Sequence, residues 1–381
     1  MKKILLSLLL LSPLALYAQI NGSGFYRIQN YKTDRYFYLV DDKAWLITTA
    51  STQDINTGSF KLVKPFEERV ASNPATICYL TVASKINNTS YRCNVSGQGL
   101  DLYQRVQTYL DFRHNASIGA YTISGSGTAG GVTLSKYLTD TERVGNEVTL
   151  RTVETNINDY AYWWIRPIND KYYFGFKPSF KASMGGADSL YYTSMYASFP
   201  FAVNDNVKAY YISEVRDGYA KVRQFSYTAP GETPLFVECK GATPEENKVT
   251  LTASTATAPS NQLRGVYYCN DVDEETGHRN VTPYNSFTMR VLGRAPDGRL
   301  AFVKSSMTYI PANTAYLQVS VGSPDVIYVV KEIPDGIESV KVADVKPQTG
   351  VYSLSGQRVA DRTEGLQKGV YIVNGRKTVV K

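Results

Sequence analysis

Histidine is nearly absent. The 381 residues contain two, His114 and His278, far apart in the chain. That excludes a metal centre built on clustered imidazoles and makes any His-based triad depend on one of these two. Cysteine occurs four times, with no pair at metal-ligand spacing. No G-x-S-x-G, H-E-x-x-H or G-x-x-x-x-G-K motif is present, so the nucleophile elbow, the zinc-protease helix and the phosphate-cradling loop have no carrier. The glycines between Gly125 and Gly131 sit in a β-rich stretch with no helix after them, a poor setting for a dinucleotide. After residue 18 no apolar run reaches 18 residues, so no membrane-spanning helix is expected in the rest of the chain. Lysine and arginine form no stripe, and the formal charge of +7 falls to +5 without Lys2 and Lys3. Nucleic-acid binding therefore has no electrostatic footprint. The expectation is a protein that is not an enzyme and needs no cofactor and no metal.

Tyrosine is abundant, at 30 residues against 14 phenylalanines and 3 tryptophans. With frequent Val, Thr, Ser and Gly, and no long stretch of 3.6-residue periodicity, this predicts an all-β chain. The length suits two domains and a tail.

Between residues 19 and 168 a three-part pattern recurs. An alternating apolar strand opens each unit, at Phe25–Ile28, Cys78–Val82 and Ala120–Ile123. A second strand follows a polar turn, at Arg35–Leu39, Ser90–Val95 and Ser135–Leu138. An aromatic-apolar strand closes it, at Phe60–Pro65, Leu110–Arg113 and Trp164–Ile168. Units of about 40–50 residues made only of strands do not bury their apolar faces alone. Packing three of them around a pseudo-threefold axis gives a β-trefoil. The stretches YRIQNYKTDRYFYLV and WWIRPI resemble the opening and close of ricin-type β-trefoil lectin repeats. The family's Gln-x-Trp closing signature is missing from all three units; Trp164 alone stands in its place.

The resemblance implies a sugar site made of a short acidic residue, an amide and an aromatic platform. A ring covers the apolar face of a sugar while Asp and Asn bond its hydroxyls. The first unit offers Asp41, Asp42 and Trp45 just after its second strand, and these are the expected carbohydrate-binding residues. Asn94, Gln98 and Asp101 in the second unit and Asp140 in the third are weaker candidates, because Asp and Asn also serve turns. One site with one stacked ring implies a dissociation constant near the millimolar range, about −4 kcal/mol.

Residues 169–335 contain short strand-like runs at close intervals, with turns at Asp217-Gly218, Asp297-Gly298 and Pro311–Asn313. That pattern predicts a β-sandwich. The runs YYTSMYASFPFAV and YIPANTAYL resemble an accessory β-sandwich of secreted surface proteins from gut and oral anaerobes, which implies no activity. The acidic loop around Asp271, Asp273 and Glu275 lacks the glycine and the final glutamate of an EF-hand and reads as an exposed hairpin tip.

The two ends carry addresses. Residues 1–18 have a basic start, an apolar run from Ile4 to Leu16 and a small residue, Ala18, at the expected cleavage point. This is the pattern of a secretory signal peptide. Residues 336–381 form a linker and a tail of short strands, with an Asn374-Gly375 hairpin turn. The segments YSLSGQRV, LQKGVYIV and the final VVK resemble the C-terminal sorting domain of proteins exported by the type IX secretion system. The resemblance implies the secretion machinery as a partner and a secreted or outer-membrane-surface location in a Gram-negative bacterium.

Export through an oxidising compartment permits disulfides. Four cysteines allow three pairings. The local pairing, Cys78 with Cys93 and Cys239 with Cys269, is expected because each pair falls in two neighbouring candidate strands; the alternative is four buried thiols. Taken together, the sequence predicts a carbohydrate-binding or adhesive surface protein without catalytic activity, whose partner is a glycan or glycoprotein. The alternatives are a structural surface protein with no small-ligand site and, more remotely, a glycan-processing hydrolase.

Overall fold

The computed structural model describes residues 20–41, 60–83, 90–99, 109–129, 132–140, 144–149, 152–154, 157–186, 188–271, 279–332, 350–354, 357–373 and 376–380. The chain divides into two compact units, Met1–Ile333 and Pro334–Lys381. Among the described residues nearly all regular structure is β, as the tyrosine, valine and threonine content predicts.

The first part of the larger unit runs through β1 (Gly24–Asn30), β2 (Tyr36–Leu39), β3 (Phe60–Val63), β4 (Cys78–Val82), β5 (Ser90–Val95), β6 (Gln98–Gly99), β7 (Leu110–Asn115), β8 (Ala120–Ala129), β9 (Val132–Thr139), β10 (Glu147–Thr149), β11 (Thr152–Glu154) and β12 (Tyr162–Pro167). Antiparallel pairings join β1 to β4, β4 to β5, β5 to β7, β7 to β8, β8 to β12, and β12 back to β1. Six strands thus close a barrel. Outside this circuit, β2 with β3 and β10 extends one side, and β9 with β11 another.

Alternation decides what faces inward. In β5, Tyr91, Cys93 and Val95 are buried while Arg92 and Asn94 are exposed. The interior gathers Ile28, Leu80, Val95, Phe112, Ile123 and Ile165 around Trp163. Trp163 is fully buried, and its Nε1 donates to the Leu138 carbonyl at 2.8 Å. The closing tryptophan of the barrel is therefore Trp163, one residue before the Trp164 that the motif suggested. Trp164 turns outward, under the Arg166 guanidinium 4.3 Å from its ring. The strands also take unequal roles. The second strands of the three repeats were expected to be equivalent, yet β5 belongs to the closed circuit and β2 and β9 lie outside it.

The second part contains β13 (Phe174–Gly175), β14 (Phe180–Ala182), β15 (Leu190–Met195), β16 (Phe201–Ala202), β17 (Val207–Arg216), β18 (Tyr219–Gln224), β19 (Thr228–Ala229), β20 (Leu235–Cys239), β21 (Lys248–Leu251), β22 (Leu263–Val266), β23 (Met289–Arg294), β24 (Leu300–Val303), β25 (Thr314–Gln318) and β26 (Val326–Val330). Ten of them form one sheet in the order β14-β15-β20-β17-β18-β26-β24-β23-β25-β22. The sheet folds over at the parallel β18–β26 pair, so its halves face each other across Tyr192, Ile212, Phe236, Phe302, Leu317 and Ile327. A small sheet, β13-β21-β16-β19, covers the other face of the first half through Phe174, Phe176 and Phe201. β20 lies between these two cores and is buried along its whole length. This accounts for the nearly unbroken apolar run Leu235-Phe236-Val237.

The expected disulfides do not form: all four cysteines are free thiols. The β4–β5 register sets Cys78 opposite Val95 and Cys93 opposite Leu80, so the two cysteines are diagonal neighbours. The Cys78 thiol donates instead to the Tyr26 carbonyl at 3.2 Å. Cys239 faces the core under the small sheet, while Cys269 lies beyond β22, a strand that pairs with β25 and not with β20.

The smaller unit contains β27 (Val351–Tyr352), β28 (Arg358–Ala360), β29 (Gly369–Val373) and β30 (Arg376–Val380), in the order β28-β27-β29-β30. β29 and β30 pair from Gly369↔Val380 to Val373↔Arg376, which leaves two residues between them. The Asn374-Gly375 turn itself lies outside the described residues.

Candidate functional site

Barrel and sandwich are pinned together by buried polar contacts. Arg27 points out of the barrel but is covered by the segment Phe66–Thr76 and by the chain leaving β12. Its guanidinium donates to the carbonyls of Tyr172 at 2.6 Å, Tyr173 at 2.8 Å, and Val70 and Ala71 at 3.3 Å, and to the Thr76 hydroxyl at 2.9 Å. Burial pulls its pKa down to about 9, which leaves it charged at neutral pH. Two further bonds cross the junction. Tyr268 donates its hydroxyl to the Ser96 carbonyl at 3.2 Å, and Asn270 Nδ2 donates to Asp41 Oδ2 at 3.1 Å.

These contacts frame an open cleft of about 370 Å³ between the two parts. Its floor is the outward face of β4 and β5. Tyr79 lies directly across from Asn94, and Thr81 directly across from Arg92. Period-two alternation brings these four side chains to one face. Thr81, Arg92 and Asn94 are exposed and Tyr79 is half-buried. Phe25, opposite Tyr79 on β1, stands beside it with ring centroids 4.8 Å apart and meets Phe199 of the sandwich at 6.2 Å.

The far wall is Ser198–Pro200 and Thr252–Ser254, joined by the Thr252 N–H donating to the Pro200 carbonyl at 3.0 Å. The Thr252 hydroxyl oxygen is shut away from solvent and has no hydrogen-bond partner. At one end stands Glu232. Its N–H donates to the Ala197 carbonyl at 2.7 Å, and its φ of 54° is a conformation that side chains other than glycine rarely adopt. Gly97 meets it from the barrel. A Cβ there would lie 3.3 Å from Glu232 Oε1, and the φ of +77° calls for glycine as well.

The cleft combines an aromatic platform, an amide, hydroxyls and one charge of each sign. This is the chemistry of a site that orients a polar ligand with an apolar face.

The residues expected from sequence are placed differently. Asp41 is fully buried and holds Asn270, so it belongs to the junction. Asp42, Trp45 and Asp101 lie outside the described residues, as does the side chain of Gln98. Asp140 is buried against Arg35, whose Nη2 and Nε donate to its two oxygens at 2.7 and 3.0 Å. Of the weaker candidates whose side chains are described, Asn94 is the one that reaches the cleft. Asp271 pairs with Arg279 at 3.0 Å. Among the described residues no cluster of three or more His, Cys, Asp or Glu is placed to hold a metal ion.

The rest of the cleft was missed because its walls come from segments more than a hundred residues apart. The one local signal was the alternation of β4 and β5, which puts Tyr79 and Asn94 on their polar face. Compared with protein-family models, with curated proteins and with solved structures, the chain matches none.

Proposed function

We propose that this chain is a secreted or cell-surface carbohydrate-binding protein, and that the barrel–sandwich cleft is its glycan site. The observation that carries the reading is the Tyr79–Asn94 pair. A half-buried ring and a free amide sit side by side on a floor facing a wall that carries Ser198 and Ser254. A sugar presents an apolar ring face and a rim of hydroxyls, and this arrangement complements both. The reading is of binding without catalysis. Among the described residues Glu232 is the single carboxylate on the lining, whereas glycosidic cleavage ordinarily uses two.

Other features support the wider reading. The six-strand circuit with hairpin extensions outside it is the layout expected of a ricin-type β-trefoil. Leader and tail point to export by type IX secretion to the outer-membrane surface of a Gram-negative bacterium, with the secretion machinery as partner. No helix among the described residues is long and apolar enough to cross a membrane.

The test of function is a glycan array probed with the exported chain and with Tyr79→Ala. Reproducible binding of a saccharide class that the variant loses supports the reading, and absence of binding to any saccharide removes it. Deleting residues 336–381 tests the address: the truncated protein is expected to accumulate in the periplasm, and normal surface delivery would contradict it.

A further inference from the structure

The charges of the cleft carry the reading one step further. Among the described residues Arg92 and Glu232 are the charged ones on its lining. Glu232 sits at the Gly97 end, beyond the last residue of β5. Arg92 sits three residues before that strand ends, so the two anchor points are separated by about 10 Å of extended chain. No ion pair joins them. Arg92 is exposed, and no hydrogen bond, ion pair or ring contact among the described residues engages its guanidinium. Its neighbours on this face along β4 and β5, Thr81, Asn94 and Tyr79, are neutral, and the carboxylate of Asp111, across from Ser90 on β7, accepts from the Ser90 hydroxyl at 2.5 Å. An arginine held on a rigid strand, beside an aromatic platform and in no ion pair with a described carboxylate, presents its donor fork to an incoming anion.

Given the glycan site proposed above, on which this inference rests, we infer that the cleft selects an acidic saccharide: a uronic-acid-containing oligosaccharide whose carboxylate docks on Arg92 while a ring stacks on Tyr79. Glu232, held in place by its backbone bond to Ala197, accepts from hydroxyls at the other end. Its negative charge repels a second carboxylate there. A saccharide with one acidic residue at the Arg92 end therefore fits better than a uniformly acidic polymer.

The test is calorimetric titration of the exported chain with two oligosaccharides of one length and linkage, galacturonate and galactose. The wild type is expected to bind the acidic one about tenfold more tightly, and the gap should narrow as salt rises. Arg92→Gln should bring the two affinities to within about twofold of each other, and Arg92→Lys should keep part of the preference. Arg92 is exposed, so circular dichroism should show both variants folded. Equal affinity of the wild type for the two sugars, or a preference that survives Arg92→Gln, overturns the inference and leaves the glycan site standing. Failure of both sugars, together with a blank array, removes the site and the inference with it.

Discussion

Tyr79 and Asn94 face each other across β4 and β5, and both turn away from the barrel into the cleft. Neither holds the fold together as Trp163 does on the opposite face, so their contribution to binding can be separated from their contribution to stability. Asn94→Ala is expected to weaken glycan binding about tenfold, the loss of one or two hydrogen bonds at about 1 kcal/mol each. The thermal midpoint should stay within a few degrees of wild type. Calorimetric titration and a melting curve on the same preparation check both halves.

Asp140 makes the opposite case. It is an acidic residue of the third repeat, the type a lectin site would use, yet it is buried and bound by both arms of Arg35. The Thr33 hydroxyl also donates to it. Asp140→Asn keeps the shape but removes the negative charge that the buried Arg35 guanidinium binds, at an expected loss of about 3–5 kcal/mol. Urea denaturation measures this. A variant as stable as wild type would show that the pair does not hold the barrel.

Much of the strand layout was legible in the sequence, and the faces less so. Alternating runs such as Ala209–Ile212, Tyr219–Phe225 and Val326–Val330 mark strands because cross-strand packing rewards β-branched and aromatic residues wherever they occur. The Asp217-Gly218 turn was legible because both residues take positive φ, at 53° and 78°. Which residues touch across strands was not legible. Cys78 and Cys93 lie in neighbouring strands as expected, but a two-residue offset in register separates their backbones, and no local signal reports register here. Arg27 reads as a surface residue by alternation and is buried because a distant segment folds over it. The cleft has the same origin: Tyr79 and Ser198 become neighbours only after both parts have folded.

The thiols give a simple chemical check. With all four cysteines reduced, non-reducing peptide mapping should find no cross-link, and the melting temperature should not respond to reductant. Alkylation in denaturant should add four labels. Under native conditions labelling should be slow, and Cys269, the one thiol that is only half-buried, should react first. Burial pushes the Cys239 thiol up to about 12, and the hydrogen bond with Cys78 together with burial raises Cys93, so neither supplies thiolate near neutral pH. A 78–93 or 239–269 cross-link would contradict the geometry.

Buried tyrosines set the response to alkali. Burial raises the phenols of Tyr36, Tyr192, Tyr210 and Tyr267 above the ordinary value, with the Glu238 carboxylate adding to the shift at Tyr192 and Tyr210. Each is raised in the folded state, so its contribution is fully present below the unfolded value of about 10 and is lost as pH rises through the folded one. Arg27, depressed to about 9, acts with the opposite sign but is one group against four. Stability should therefore fall steeply above about pH 10. Absorbance titration at the phenolate band should show one class of tyrosines ionising normally and another only as the protein unfolds. A single smooth titration with the fold intact would contradict these placements.

The most direct measurement for the central claim is hydrogen exchange with and without the tightest saccharide from the array. The account predicts new protection in β4 and β5, around Tyr79 and Asn94, together with the facing segments at Ser198–Pro200 and Thr252–Ser254. Protection confined to the segment after β2 that carries Asp42 and Trp45, with the cleft unchanged, would contradict it.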